Sequence, residues 1–406
     1  MKKTIAVLIG LASGILSAAD ALPQVTVNSV TPVDGRKFTV SYTLDRDAVV
    51  TFDVLTNGVS IGKRHCTSAM GDVFKLVQAG SGTFTWYANR DWPGQSALNA
   101  KIQVRAWSKS APPDYMVVKL GLKTDDSETA CAYYECAEQV PDGVTNLVYK
   151  NEKMVMRKIP AANVTFRMGS PTGESGRSSG ETPHYVTFTN DFYLSVFELS
   201  DAQYNRMNEG SASGTAIAHS GCYNHVRSYG ITEHPCWPKG LHAEEDSGKM
   251  IYKARLRTGL LLDLPTEAEW EFACRAGTEG AIYGESLDGI AWYDDNSKDG
   301  TGTPVAHEIG LKEPNSFGLY DMLGNMMECV LDYWQTALPE TDQVAPVGPD
   351  APDTTNGRAL RGGSYAMPAA NERAAARLGN PANYTSYSTY GKCIGFRLWC
   401  PAEAVR

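Results

Sequence analysis

Two groups of residues in this chain have types and spacings that could do chemistry. His219, Cys222 and His225 stand at three-residue intervals, and His234 and Cys236 follow. Imidazoles and thiols so arranged could hold a tetrahedral zinc ion. Cys222 and Cys236 could equally close a surface insertion with a disulfide, and that reading is preferred if the protein leaves the cytoplasm. The second group is Asn380 to Tyr390, made almost wholly of Asn, Tyr, Ser and Thr. Tyr offers rigid amphipathic area and Ser or Asn adaptable hydrogen bonds, as on a binding face, although a polar covering loop would have the same composition. The sequence contains no phosphate-cradling Gly-rich loop, no Gly-x-Ser-x-Gly elbow and no His-Glu-x-x-His, and no Ser-His-Asp triad can be assigned.

The elements that must position these residues begin with a leader. Met1-Lys2-Lys3 precedes an apolar stretch from Thr4 to Ala18, with small residues at Ala19 and Ala21. Residues 1–21 therefore read as a secretory signal peptide, an uncleaved anchor being the alternative. Asp20 ends the stretch early for a bilayer span, and no later segment is apolar for the roughly 18 residues a span needs. The protein is expected to be exported, to the periplasm, cell surface or medium, with no transmembrane segment once the signal is removed. Among its nine cysteines, nearby pairs are then read as disulfides, with one thiol left over. A net charge of −9, with 37 basic and 46 acidic residues and no Lys/Arg run, argues against nucleic acid or an anionic membrane as partner.

Residues 22–122 read as a β-sandwich of immunoglobulin or fibronectin type. Lys37-Phe-Thr-Val-Ser-Tyr-Thr-Leu44 alternates at period two. Val49-Val-Thr-Phe-Asp-Val54 runs into Asn57-Gly58, a hairpin-turn dipeptide. Thr83-Phe-Thr-Trp86 and Ile102-Gln-Val-Arg-Ala-Trp107 add strands. Residues 123–147 read as a linker, with Asp125-Asp126-Ser127-Glu128, a Pro141-Asp142-Gly143 turn, and Cys131 and Cys136 placed either to close a small loop together or each to reach into a neighbouring domain. A second domain spans 148–401. Within it Ser200-Asp-Ala-Gln203 and Thr266-Glu-Ala-Glu269 both fit a capping box at a helix start. After the second box, Trp270, Ala273 and Cys274 share one helical face.

Five ordered segments of this second domain carry a resemblance. They are Phe166-Arg-Met-Gly-Ser170, Leu264-Pro-Thr-Glu-Ala-Glu-Trp-Glu-Phe-Ala-Cys-Arg-Ala-Gly-Thr278, Phe317-Gly-Leu-Tyr-Asp-Met-Leu-Gly-Asn325, Arg361-Gly-Gly-Ser-Tyr365 and Gly395-Phe-Arg-Leu398. Together they resemble the formylglycine-generating enzyme, or sulfatase-modifying factor, family. The resemblance implies a mixed α/β fold of the C-type-lectin-like kind. It also implies a pair of catalytic cysteines after the Gly-Gly-Ser segment, binding copper(I) and oxidising a substrate cysteine to formylglycine. Here no cysteine lies between Tyr365 and Cys393, and Met367 is the only sulfur in Ala366–Glu372. One thioether does not make a two-thiolate copper(I) site, so no catalytic residue is assigned and no copper is expected. Relatives using non-haem iron carry a His-x3-His-x-Glu pattern that no histidine of this chain matches.

Carried over position by position, the resemblance implies a structural calcium held by side-chain oxygens of Asp321 and Glu328 and backbone carbonyls of Gly324 and Met326. Hard oxygen donors in one loop suit that ion. The family's partner cysteine for Cys274 would fall near Glu372, which leaves Cys274 a buried free thiol. The old substrate groove, around Ser364 and Tyr365, becomes the expected contact surface for a peptide, protein or glycan. Two function classes therefore stand: a calcium-stabilised binding module that has lost the oxidase chemistry, or an active oxidase or divergent metal-dependent enzyme of this family that converts a substrate cysteine to formylglycine. The segment from Asn380 also resembles the variable end of retroelement-diversified lectin-fold proteins, a third reading.

Overall fold

Period-two alternation in Phe38–Leu44 turns Val40, Tyr42 and Leu44 inward and leaves the residues between them less buried. In the computed structural model, residues 22–34, 36–95, 100–121, 130–209, 214–217, 250–349, 356–381 and 393–405 are described. The expected signal segment, the His219–Cys236 cluster with Cys222 and Cys236, and residues 382–390 lie outside them.

The first eight strands are β1 (Val25–Pro32), β2 (Phe38–Leu44), β3 (Ala48–Thr56), β4 (Val59–Ser60), β5 (Ala69–Gly71), β6 (Leu76–Val77), β7 (Gly80–Trp86) and β8 (Ala100–Trp107). They form one sheet in the order β1-β2-β7-β5 and another around β3, which pairs with β4, β6 and β8. Phe52 of β3 packs its ring 5.1 Å from Phe84 of β7 and 6.3 Å from Trp86, so the two sheets share a core. Gly82 is required at its place in β7: a Cβ there would come within 2.4 Å of the Tyr42 ring. The Asn57–Gly58 turn has positive φ at both residues, 53° and 81°, which is the backbone a two-residue hairpin with native twist needs.

The remaining strands are β9 (Tyr115–Lys119), β10 (Cys131–Tyr134), β11 (Lys153–Ile159), β12 (Thr165–Met168), β13 (His184–Thr187), β14 (Phe192–Ser195), β15 (Met327–Tyr333), β16 (Gln343–Val344), β17 (Asn356–Arg361), β18 (Arg377–Pro381), β19 (Ile394–Gly395) and β20 (Trp399–Pro401). They build sheets ordered β10-β9-β11-β14-β20, β12-β13-β16 and β18-β17-β15-β19. The chain is thus mostly β with few helices. The segments read as the end of the sandwich and as a linker each give a strand, β9 and β10, to the central sheet of the second half. The turn after β10 also grips the first half. Glu135 accepts from Thr51 Oγ1 at 2.7 Å and Arg105 Nη1 at 2.6 Å, while Gln139 Nε2 donates to the Phe52 carbonyl.

Both capping boxes form. Ser200 and Gln203 exchange bonds of 3.1 Å ahead of the Asp201–Glu209 helix. Thr266 N donates to Glu269 Oε2 at 2.8 Å, and Glu269 N donates to Thr266 Oγ1 at 3.2 Å, opening the Glu267–Arg275 helix. That helix is buried nearly all round, with Trp270, Ala273 and Cys274 fully covered. Two of its acids are matched by arginines: Glu271 pairs with Arg361 of β17 and with Arg275 one turn along the same helix, and Glu267 pairs with Arg377 of β18 at 2.6 Å.

Burial raises Glu269 to about 7, hydrogen bonds from Thr266 and Trp399 offsetting part of the effect. The folded carboxyl then keeps a proton that the unfolded chain releases near pH ~4.3. Stability from this group is complete at low pH and is lost as pH rises to about 7. Glu269→Gln keeps the capping box and should flatten the pH dependence of the urea midpoint in that window. An unchanged slope would mean Glu269 is ionised throughout.

None of the seven described cysteines, Cys66, Cys131, Cys136, Cys274, Cys329, Cys393 and Cys400, is in a disulfide. The small loop expected between Cys131 and Cys136 is not closed; Cys131 is spent in the core of β10 while Cys136 stands half-buried past its end. No described helix is long and apolar enough to cross a membrane.

Candidate functional site

The Phe317–Asn325 segment curls because its backbone repeatedly enters the left-handed region: φ is 53° at Asp321, 76° at Gly324 and 55° at Asn325. A Cβ on Gly324 would sit 2.3 Å from the Trp292 carbonyl, so only glycine fits. Asn325 is held by its side chain, whose Oδ1 accepts from His307 N at 2.9 Å and whose Nδ2 donates to Glu198 Oε2 at 2.6 Å. Glu198 Oε1 accepts from Met326 N at 2.9 Å, fixing the next peptide.

Asp321 and Glu328 are both 1% exposed. Asp321 Oδ2 accepts from Gly310 N at 2.6 Å, and its Oδ1 has no hydrogen-bond partner. Glu328 is fully engaged: both oxygens accept from Arg397 at 2.6–2.9 Å, and Oε2 also accepts from Trp270 Nε1 at 2.7 Å. Three buried carboxylates, Glu198, Asp321 and Glu328, thus surround one contacting guanidinium. Burial first, then the Asp321 and Glu328 charges, pushes the Glu198 carboxyl well above its ordinary value. Burial likewise lifts Asp321 to about 6.

This donor set fits a hard cation in charge and in its free Asp321 oxygen. Of the four expected calcium ligands, Asp321 has an open donor atom and Gly324 and Met326 lie in the same curl. Glu328 instead holds Arg397. No group of three His, Cys, Asp or Glu side chains able to hold a metal occurs among the described residues, so any ion here depends on backbone oxygens.

The Arg361–Tyr365 segment is tied to this curl. Gly324 N donates to Gly362 O at 2.8 Å and Tyr365 N to Asn325 O at 2.9 Å. Gly362 and Gly363 take φ of 91° and 71°, and a Cβ on Gly363 would strike the Glu372 carboxylate at 2.2 Å. Glu372, fully buried, accepts from Ser364 N at 3.0 Å and keeps Oε2 without a partner. Burial raises it well above the usual carboxylate range. Ser364 is 0% exposed with Oγ unpartnered, and Tyr365 is 8% exposed. The two residues expected to face a ligand are therefore covered by the protein, and Tyr365 leans on Cys393. Cys274 is buried and free, its thiol pushed up to about 12 by desolvation, with Met322 O 3.8 Å from Sγ.

Sequence reasoning did not single out Glu198, Glu372 as a buried acid, or Arg397 as the cation of the cluster. Glu198 closes the apolar run Phe192-Tyr-Leu-Ser-Val-Phe-Glu198, and a lone acid so placed signals burial with a partner. Arg397 was within a quoted motif, but its partner lies 69 residues away and no spacing rule pairs them.

A family profile described as a sulfatase-modifying factor enzyme 1-like domain matches residues 145–400. The formylglycine-generating enzyme of Mus musculus is 24% identical over 253 residues, covering 52% of this chain and 66% of that protein. A second Mus musculus protein, named inactive C-alpha-formylglycine-generating enzyme 2, is 32% identical over 160 residues, covering 35% of this chain and 44% of that protein. The chain thus spans just under two-thirds of the first relative, 66%, and less than half of the second, 44%. Among solved structures, that of PvdO from Pseudomonas aeruginosa aligns with a TM-score of 0.47 at 21% identity, covering 61% of this chain and 94% of that one.

Proposed function

We propose that this chain, which belongs to the sulfatase-modifying factor enzyme 1-like family, is an exported binding member of it that has lost the copper oxidase chemistry. The observation that carries this is the absence of any cysteine between Tyr365 and Cys393. Thiolates are what a copper(I) oxidase site needs, and Glu372, bonded to Ser364 N, occupies the stretch in which they are expected. A carboxyl and a serine hydroxyl are hard oxygen groups, ill-suited to copper(I), and neither carries electrons as a thiolate pair does. That one relative bears the name of an inactive formylglycine-generating enzyme makes such a loss plausible within the family.

In this reading calcium is structural. Asp321 Oδ1, with the Gly324 and Met326 carbonyls, would hold it, and the ion would supply the positive charge that Arg397 alone does not give to Glu198, Asp321 and Glu328. The ligand is a peptide, protein or glycan. It contacts the surface over Ser364 and Tyr365 rather than those side chains themselves, since both are covered. The two N-terminal sheets, read as an immunoglobulin- or fibronectin-like sandwich, serve as spacer or docking module. Incubation with copper(I), oxygen and a sulfatase-type cysteine peptide tests the loss of chemistry: the peptide should be recovered unchanged, and its conversion to the aldehyde would restore the enzymatic reading.

A further inference from the structure

Away from the Asp321–Glu328 curl and the Arg361–Tyr365 segment, a cavity of about 140 Å³ opens beside the start of the Glu267–Arg275 helix. Its walls come from the β13–β14 turn, the Asp263–Thr266 entry to the helix, β15, the segment after β16, and β20. Phe188, Phe192 and Trp399 line it, with ring centroids 6.2 Å apart for the first two and 6.5 Å for the last two. Three acids, Asp191, Asp263 and Glu269, also line it, and no Lys, Arg or His among the described residues does.

The acids differ in how they are matched. Asp263 is neutralised by Arg255 at 2.7 Å, outside the cavity. Asp191 accepts from Ala162 N at 2.9 Å. Glu269 spends Oε2 on Thr266, also accepts from Trp399, and has no cationic partner among the described residues. A carboxylate without a counter-ion, set among aromatic rings in a cavity of this size, is complementary to a small cation with an apolar body. Aromatic faces attract such a cation and the carboxylate orients it. An anion would meet only negative charge, and a neutral apolar molecule would leave Glu269 unmatched when ionised.

We propose that this cavity is a binding site for an alkylammonium group, either a free small amine or the end of a lysine side chain. It shares no lining residue with the proposed calcium curl or with Ser364 and Tyr365, so it stands whether or not the chain is an oxidase.

Calorimetric titration of the full chain with n-butylammonium and with neutral 1-pentanol tests it, at about pH 8 so that Glu269 is ionised. The amine is expected to bind at least about tenfold tighter than the alcohol, the equivalent of one favourable charge contact. Glu269→Gln, which keeps the capping box and so the fold, should erase that preference. Val347→Phe, placed on a half-exposed wall, should weaken both ligands by filling the space. Equal binding of amine and alcohol to the native chain, or a preference that survives Glu269→Gln, would overturn the proposal. A third probe, Nα-acetyl-lysine methylamide, separates the sources. Competition with butylammonium assigns the site to lysine side chains, and its failure where butylammonium binds assigns the site to free amines.

Discussion

Arg397→Ala is expected to lower the unfolding free energy by about 3–5 kcal/mol, read as a shift of the urea midpoint at constant slope. The guanidinium is fully buried and makes bonds of 2.6–2.9 Å to both oxygens of Glu328, and it also donates to the Ser195 and Tyr320 carbonyls at 3.1 and 2.9 Å. Its removal would strand Glu328 beside Glu198 and Asp321 and leave those carbonyls without a donor. Breaking one side of a buried pair costs far more than the pair contributes against an apolar substitute, because the surviving charge cannot reach water. The loss should therefore shrink in the double variant Arg397→Met with Glu328→Gln. A loss below about 1 kcal/mol in Arg397→Ala would mean that water reaches the cluster and that it is not the closed, charge-rich centre described above.

The second large effect is calcium. A ligand that binds only the folded chain stabilises it by about 2.7 kcal/mol when present at a hundredfold excess over its dissociation constant. Adding a chelator should lower the melting temperature accordingly, and calcium should restore it. Asp321→Asn should remove most of the calcium-dependent part, since Asp321 Oδ1 is the free side-chain oxygen of the curl. The variant without calcium should be at least as stable as the native chain without calcium, because one uncompensated buried charge is gone. Identical melts with and without chelator would argue that Arg397 alone balances the three acids and that no ion belongs there.

Local features were readable from the sequence because their physics is local. The Asn57–Gly58 turn and the two capping boxes depend on residues three apart or fewer, and each forms as its spacing implies. Alternation in β2 named its buried face. The family resemblance rested on motifs that place Trp270, Gly324 and Arg361 side by side, and the profile match over 145–400 bears out the family. What spacing could not supply was the pairing of distant polar and charged groups. Glu198 meets Asn325, Glu328 meets Arg397 and Glu271 meets Arg361 only after the sheets assemble. The same holds for exposure. Ser364 and Tyr365 read as a contact surface because the resemblance puts the substrate groove there, yet the Gly362–Gly363 turn folds them under, onto Asn325 and Glu372. Cys131 and Cys136 read as a pair from proximity along the chain, whereas strand geometry commits Cys131 to the core.

The most direct test of the central claim is mass spectrometry of a sulfatase-type cysteine peptide after incubation with the copper(I)-loaded, full-length protein in air. With no thiol between Tyr365 and Cys393 to carry the metal, the peptide should keep its mass and the protein should retain no copper after desalting. Formation of the formylglycine aldehyde, with stoichiometric copper retained, would contradict the account and return the chain to the oxidases of its family.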